Sequence, residues 1–208
     1  MKTLILKIDK NKPDAAKLKL VAEVLKSGGV AVIPTDTVYG LAAGVFEARA
    51  QKKIFALKSR SYHKPLILMP RDAASFRCIA EMPERAGKLA AKYWPGPLTL
   101  VLPVTELGKL VSGGRADIGV RIPDSKLVLA LVKLCGFPLM TTSANPSHKP
   151  SAKTGEQAEK YFKGKVDVII NAGPCGLGKE SSVVGATHFH CNVIREGCIS
   201  SKELEKCL

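Results

Sequence analysis

The hydrophobic positions fall into short runs of two kinds that alternate along the chain. Between Pro13 and Lys26, Leu18, Val21, Ala22 and Leu25 recur at the spacing of one helix face, and Ser27-Gly28-Gly29 ends the run. Val30 to Ile33 then reads as a short buried strand stopped by Pro34. The pattern continues with a helix over about Ala48–Leu57, a strand at Leu66–Met69 and a helix marked by Ala86, Leu89, Ala90 and Tyr93. After Trp94-Pro95-Gly96-Pro97 comes a strand at Leu98–Leu102. Ile118–Ile122 predicts a strand, Val128, Leu131, Val132 and Cys135 a helix, and Leu139–Thr142 another strand. Thr154 followed by Gln157 is a capping box that opens a helix to about Phe162. Strands are expected over Val166–Asn171, near Ser182–Val184 and near Val193–Arg195. Helices and strands interleave without a repeat or a low-complexity linker. The expectation is a single α/β domain over the 208 residues, with helices around a mixed sheet.

Charge narrows the partners. Lys and Arg number 32 against 18 acids, a formal net charge of +14, which predicts attraction to nucleic acid, nucleotide phosphates or an anionic membrane surface. The basic residues are dispersed, so any patch must be assembled by folding. No run is apolar enough to span a bilayer, and Met1–Lys12 alternates Leu and Ile with Lys and Asp instead of forming a secretory signal. A cytoplasmic location without membrane contact is expected. The cysteines at 78, 135, 175, 191, 198 and 207 form no CxxC pair and read as reduced, small apolar residues. His188, His190, Cys191 and Cys198 lack a second paired-ligand spacing, so exposed imidazoles are the simpler reading there.

In open α/β sheets ligands gather where strands end, and polar clusters fall at those places. Pro34 to Leu41 follows the first buried strand. Lys58-Ser59-Arg60 and His63-Lys64-Pro65 leave the second helix, and Thr141 to Pro146 ends a strand. Ser181-Ser182 and Arg195-Glu196-Gly197 complete the set. Taken singly, each cluster can be a turn or a cap. Arg121 is different, because a charge in an apolar strand needs a partner or a pocket. Residues 173–179 fit GxxxxGK, but Glu180 stands where a P-loop needs a hydroxyl, and Ser182 to Gly185 reads as strand where it needs a helix. A GxGxxG fingerprint is absent.

Taken in order, the segments PTDTVYGL (34–41), Lys58-Ser59-Arg60, Lys64-Pro65-Leu66, WPGPLTLVL (94–102), GVRIP (119–123), TSAN (142–145), ESSVV (180–184) and REG (195–197) resemble the YrdC-like family of threonylcarbamoyl-AMP synthases. The similarity runs from about residue 14 to 200. It implies a YrdC-like fold, a twisted mixed parallel and antiparallel sheet with surrounding helices and a concave basic cavity. It also implies condensation of L-threonine, bicarbonate and ATP to threonylcarbamoyl-AMP and pyrophosphate, usually with Mg²⁺. A transferase complex then moves the group to a tRNA adenosine beside the anticodon. Carried over by position, Thr35, Arg121, Thr141 and Ser181 would hold threonine, with Arg121 on its carboxylate. Lys58, Arg60, Lys64, Ser143, Asn145 and Arg195 would hold ATP. No covalent nucleophile is required. Some relatives carry a second, C-terminal domain, and this chain resembles the single-domain form. It departs from the family pattern at His148, where Gly is frequent, at Asn171, where Asp is frequent, and at Gly185, where an Asp is expected.

Two other readings compete. A non-catalytic module could clamp double-stranded RNA through phosphate contacts. That reading has no use for Ser143 and Asn145 in fixed places, and 5% aromatic residues argues against extensive base stacking. A carbamoyl-adenylate enzyme with another acceptor, as in hydrogenase-maturation carbamoyltransferases, would belong to a much longer chain. Direct contact with tRNA or with the transferase complex is compatible with the charge.

Overall fold

A computed structural model describes residues 2–59 and 65–207. The elements in chain order are β1 (Leu4–Lys7), α1 (Ala15–Lys26), β2 (Ala31–Ile33), β3 (Gly40–Gly44), α2 (Ala48–Lys58), β4 (Ile67–Met69), α3 (Glu84–Tyr93), β5 (Leu98–Pro103) and α4 (Glu106–Val111). They continue as β6 (Asp117–Val120), α5 (Lys126–Cys135), β7 (Leu139–Ser143), α6 (Gly155–Phe162), β8 (Val168–Asn171), β9 (Ser182–Ala186), β10 (Cys191–Arg195) and α7 (Ser201–Glu205). Among the described residues the strands form one sheet in the order β1-β8-β2-β3-β7-β4-β6-β5-β9-β10. It is mixed. β1–β8, β8–β2, β4–β6 and β5–β9 run parallel, and the other neighbours run antiparallel.

Five of the helices start where a hydroxyl or carboxylate side chain accepts first-turn N–H groups, as Asp14, Thr105, Ser125, Thr154 and Ser200 each do. α2 and α3 begin at Glu47 and Pro83 without one. At α6 the capping box is realised one residue out, because Gln157 returns its side-chain oxygen to the N–H of Lys153.

Alternation along the strands sorts their side chains into two layers. One face carries Val32, Leu41, Leu68, Leu100, Val120, Met140 and Val184, packed against Ile54 of α2, Leu89 of α3, Phe162 of α6 and Leu204 of α7. The opposite face carries Ile33, Ala42, Met69, Leu139 and Ile170, covered by Leu18 to Leu25 of α1 and Leu127 to Cys135 of α5. The α1–α5 pair covers only the β8-β2-β3-β7-β4 part of that face. Beyond it lie Thr99, Gly119 and Val183 on β5, β6 and β9. A Cβ built on Gly119 would lie 3.3 Å from Thr99 Cγ2, so these two positions share the uncovered side. The cavity at Arg121 is lined on the sheet by Gly40 of β3, Ile67 and Met69 of β4 and Thr141 to Ser143 of β7.

The expected helices and strands recur with shifted ends, and three differences matter. Arg121 lies one residue beyond β6, not inside a strand, with its N–H on the Leu68 carbonyl at 2.9 Å. The segment after Pro34 contains β3, five fully buried residues (GLAAG) whose small side chains give no alternation because both faces are covered. β1, α4 and α7 were not expected, being short elements near the ends or between longer ones. Residues 173–180 form no helix, unlike a P-loop. Leu177 and Gly178 instead donate their N–H groups to the carbonyls of Asp36 and Thr37. No helix among the described residues is long and apolar enough to cross a membrane.

The α1–α5 layer packs on one face of the sheet, and Leu131 is fully buried within it. Leu131→Ala should lower unfolding free energy by about 2–5 kcal/mol in urea titration. A loss below about 1 kcal/mol would show that the two helices are not close-packed on the sheet.

Candidate active site

The turn between β2 and β3 is held by its own hydroxyls. Thr35 Oγ1 donates to the Val38 carbonyl at 2.6 Å and accepts the Thr37 N–H at 3.1 Å. With that proton committed, the 2.9 Å contact between the Thr35 and Thr37 hydroxyls has Thr37 as donor. Thr37 Oγ1 accepts in turn from Arg121 Nη1 at 2.8 Å. A directed chain therefore runs from the guanidinium through both threonines to a backbone carbonyl.

Arg121 is 4% exposed in its side chain and is gripped from three sides. Nε donates to the Gly96 carbonyl at 3.0 Å, Nη1 to Thr37, and Nη2 to Asp36 Oδ1 at 2.6 Å. Gly96 follows the cis Trp94–Pro95 bond in a turn that leaves no room for a side chain. A Cβ there would lie 2.5 Å from the Tyr93 carbonyl oxygen. Burial pulls the guanidinium below its usual range while Asp36 opposes the shift, and a group of such high intrinsic pKa stays cationic. Asp36 Oδ2 is buried and without a hydrogen-bond partner among the described residues. Of the five guanidinium N–H groups three are committed. One remains on each terminal nitrogen, the number needed to hold both oxygens of a carboxylate.

Arg121 faces a cavity of about 90 Å³ that is also lined by Thr35, Thr141, Ser143, Ser181 and Arg195. Six of the ten residues singled out from the sequence thus meet around one space. Thr141 Oγ1 donates to the Ile67 carbonyl at 3.1 Å, and Ser181 Oγ lies 2.9 Å from Thr99 Oγ1. Ser143 Oγ donates to Asn145 Oδ1 at 2.8 Å. Arg195 reaches the rim from β10, where a register irregularity between Val193 and Arg195 re-aims the strand. Its Nη1 is 2.7 Å from Glu180 Oε2 and its Nη2 donates to the Ser181 carbonyl at 2.8 Å.

Lys58 and Asn145 are not among the residues that line this cavity. Lys58 is 2% exposed, and its ammonium donates to the carbonyls of Ser143 (2.6 Å) and Asn145 (2.7 Å) and to Asn145 Oδ1 (2.8 Å). Asn145 Nδ2 donates to the Lys149 carbonyl at 2.5 Å. Both residues therefore fix the loop that presents Ser143. Arg60 and Lys64 lie outside the described residues.

The departures from the family pattern have local causes. His148 adopts φ +64°, the left-handed conformation that glycine enters without strain. A Cβ on Gly185 would lie 2.8 Å from Asn192 Oδ1 and 3.2 Å from Ile194 Cδ1, so a larger residue there would displace the β10 side chains. Asn171 Nδ2 donates to Glu156 (3.2 Å) and Glu159 (2.8 Å), and its Oδ1 accepts the Gly173 N–H (3.1 Å). That turn holds Tyr39, whose hydroxyl donates to the Gly173 carbonyl at 2.7 Å and accepts the Ala172 N–H.

Sequence reasoning missed Asp36, Thr37, Thr99 and Glu180 as site residues. The signal for Asp36 was Arg121 itself, which required an acid. The signal for Thr99 was a hydroxyl at an alternate position of an otherwise apolar strand. At the weighed His/Cys cluster, His188 Nε2 lies 2.7 Å from Glu81 Oε2. No group of three or more His, Cys, Asp and Glu suited to a metal ion occurs among the described residues.

Known proteins share this fold and much of this sequence. Residues 23–197 match the model of the Sua5/YciO/YrdC family, described as "Telomere recombination". The threonylcarbamoyl-AMP synthase of Pyrococcus abyssi is 36% identical over 192 residues, covering 91% of this chain and 56% of that protein. A Bacillus subtilis protein of the same name is also covered to 56%, so the chain spans about half the length of these two curated relatives. A putative threonylcarbamoyl-AMP synthase of Methanocaldococcus jannaschii is 32% identical and matches over 100% of this chain and 99% of its own length. Among solved structures, P. abyssi Sua5 complexed with L-threonine superposes with a TM-score of 0.93 at 35% identity, over 99% of this chain and 61% of that one. E. coli YciO superposes with a TM-score of 0.85 at 25% identity, over 94% and 96%. The expected fold, a mixed sheet with surrounding helices, is the one these proteins share.

The three oxygens on Lys58 make a test. Lys58→Met should cost about 3 kcal/mol of stability, because buried acceptors lose their donor, and should speed amide exchange over residues 143–147. Exchange at the native rate would mean that the loop does not depend on this ammonium.

Proposed function

The chain belongs to the Sua5/YciO/YrdC family, and from that membership and the cavity's chemistry we propose that it condenses L-threonine, bicarbonate and ATP to threonylcarbamoyl-AMP, releasing pyrophosphate. The product would supply the threonylcarbamoyl group for a tRNA adenosine beside the anticodon. The observation that carries the reading is Arg121, a buried cation with two donors left over at the end of a small polar cavity. A space of about 90 Å³ suits an amino acid; pockets for larger ligands run to roughly 300–1,000 Å³. The nucleotide is then assigned to the open rim, with Arg195 and Ser143 toward its phosphates and Arg60 and Lys64 as further candidates. The relatives named threonylcarbamoyl-AMP synthase, and the relative solved with L-threonine, support the same substrates.

The chemistry needs positioning more than a nucleophile. The amine of threonine takes up the carbon of bicarbonate with loss of water, and a carbamate oxygen attacks the α-phosphorus as pyrophosphate leaves. Three anions have to be held together, and fixed guanidinium and hydroxyl donors offset their repulsion and stabilise the charge that develops. Glu180 is the one carboxylate among the described residues lining the cavity, since Asp36 is committed behind Arg121. A Mg²⁺ would therefore enter on the nucleotide's phosphates and would offset their negative charge during transfer. Strong positive charge remains compatible with contact to tRNA or to a transferase complex.

Pyrophosphate release by the purified protein with ATP, Mg²⁺ and bicarbonate should require L-threonine. Arg121→Ala should cut that threonine-dependent rate by about 100-fold or more. It also leaves Asp36 buried without its partner and should lower unfolding free energy by about 3–5 kcal/mol, so the rates are compared on protein whose circular dichroism spectrum is native. Release independent of threonine, or an active Arg121→Ala variant, would overturn the assignment.

A further inference from the structure

A carboxylate is out of place on the rim of a site built for anions, yet Glu180 lines the cavity between Ser181 and the approach from β10. Both cavity arginines come paired with an acid, and the two pairs differ in burial. Arg121 and Asp36 are 4% and 10% exposed, whereas Arg195 and Glu180 are 44% and 36% exposed. Separating the first pair would leave an uncompensated buried charge, so it persists through any binding event. The second is a solvent-screened pair of small net worth. A polyphosphate that offers several charged oxygens can take its arginine.

The surroundings decide which member moves. The Glu180 carbonyl accepts the Cys198 N–H at 2.9 Å, and Glu180 Oε1 accepts from Ser151 Oγ at 2.6 Å. Ser151 precedes Ala152, whose N–H is on the Ala144 carbonyl and whose own carbonyl accepts the Tyr39 N–H. The carboxylate is thus tied to the body of the fold on both sides. Arg195 lies on the edge strand β10, with its Nη2 on the Ser181 carbonyl as a pivot and its Nη1 on Glu180. Swinging about that pivot exchanges one acceptor for another without releasing the first.

We propose that Glu180 is a displaceable counter-ion: it holds Arg195 until the triphosphate binds, yields it to the phosphate oxygens, and takes it back as pyrophosphate leaves. Glu180 is a positioning residue in this scheme and touches neither reacting atom. The inference rests on the nucleotide reading above. A fixed competitor for Arg195 weakens polyphosphate binding slightly and speeds its departure.

The test compares the native chain with Glu180→Gln, using calorimetric binding of pyrophosphate and of a non-hydrolysable ATP analogue alongside steady-state turnover. Loss of the charge should tighten both ligands by about two- to five-fold, lower the KM for ATP and lower kcat together, because product leaves more slowly. Ser151→Ala, which loosens the carboxylate without removing it, should move binding the same way by less. Weaker or unchanged pyrophosphate affinity in a folded Glu180→Gln variant would overturn the proposal. Native protein that binds pyrophosphate but releases none from ATP and threonine would overturn the synthase reading instead, and leave the counter-ion question to be decided by the binding comparison.

Discussion

The site depends on keeping one guanidinium charged inside the protein. Removing Arg121 from water is unfavourable, and the fold compensates with a carboxylate, a hydroxyl and a carbonyl drawn from three places in the chain. Each requirement shapes a neighbour. Gly96 must lack a side chain, the 34–38 turn must carry two hydroxyls in register, and the loop 173–178 must cover Asp36 and Thr37. The motifs that look separate along the sequence are thus parts of one arrangement around a single cation.

The sheet supplies the opening in which that cation can act. One face is covered by four helices, whereas the other is covered only where α1 and α5 lie. At the cavity several of the strand positions are small or hydroxylated, as at Gly40, Thr141 and Ser143. Ligands are therefore met by strand surface and by the loops at strand ends, in agreement with where open α/β sheets place their sites.

Much of this was legible in the sequence. Helices with a clear apolar face, such as α1 and α5, announce themselves by spacing and by their caps. The order of the polar segments identified the family and brought Thr35, Arg121, Thr141, Ser143, Ser181 and Arg195 to one cavity. What stayed hidden has physical reasons. β3 is buried on both faces and built of Gly, Leu and Ala, so it shows no period. The partners of charges, Asp36 for Arg121 and Glu180 for Arg195, are fixed by three-dimensional approach across 85 and 15 residues, and spacing does not reveal them. Lys58 was read as a ligand of ATP from its motif, while its burial against three oxygens also gives it a role in shaping the loop.

Asn171 ties positions far apart in the chain together. Its amide nitrogen serves two glutamates on successive turns of α6 while its oxygen holds the Gly173 turn. An aspartate there has no proton to share and would set three carboxylates side by side. A carboxylate at position 171 would therefore be best accommodated where position 156 or 159 carries no acid. The three side chains thus act as one unit, although none of them lines the cavity around Arg121.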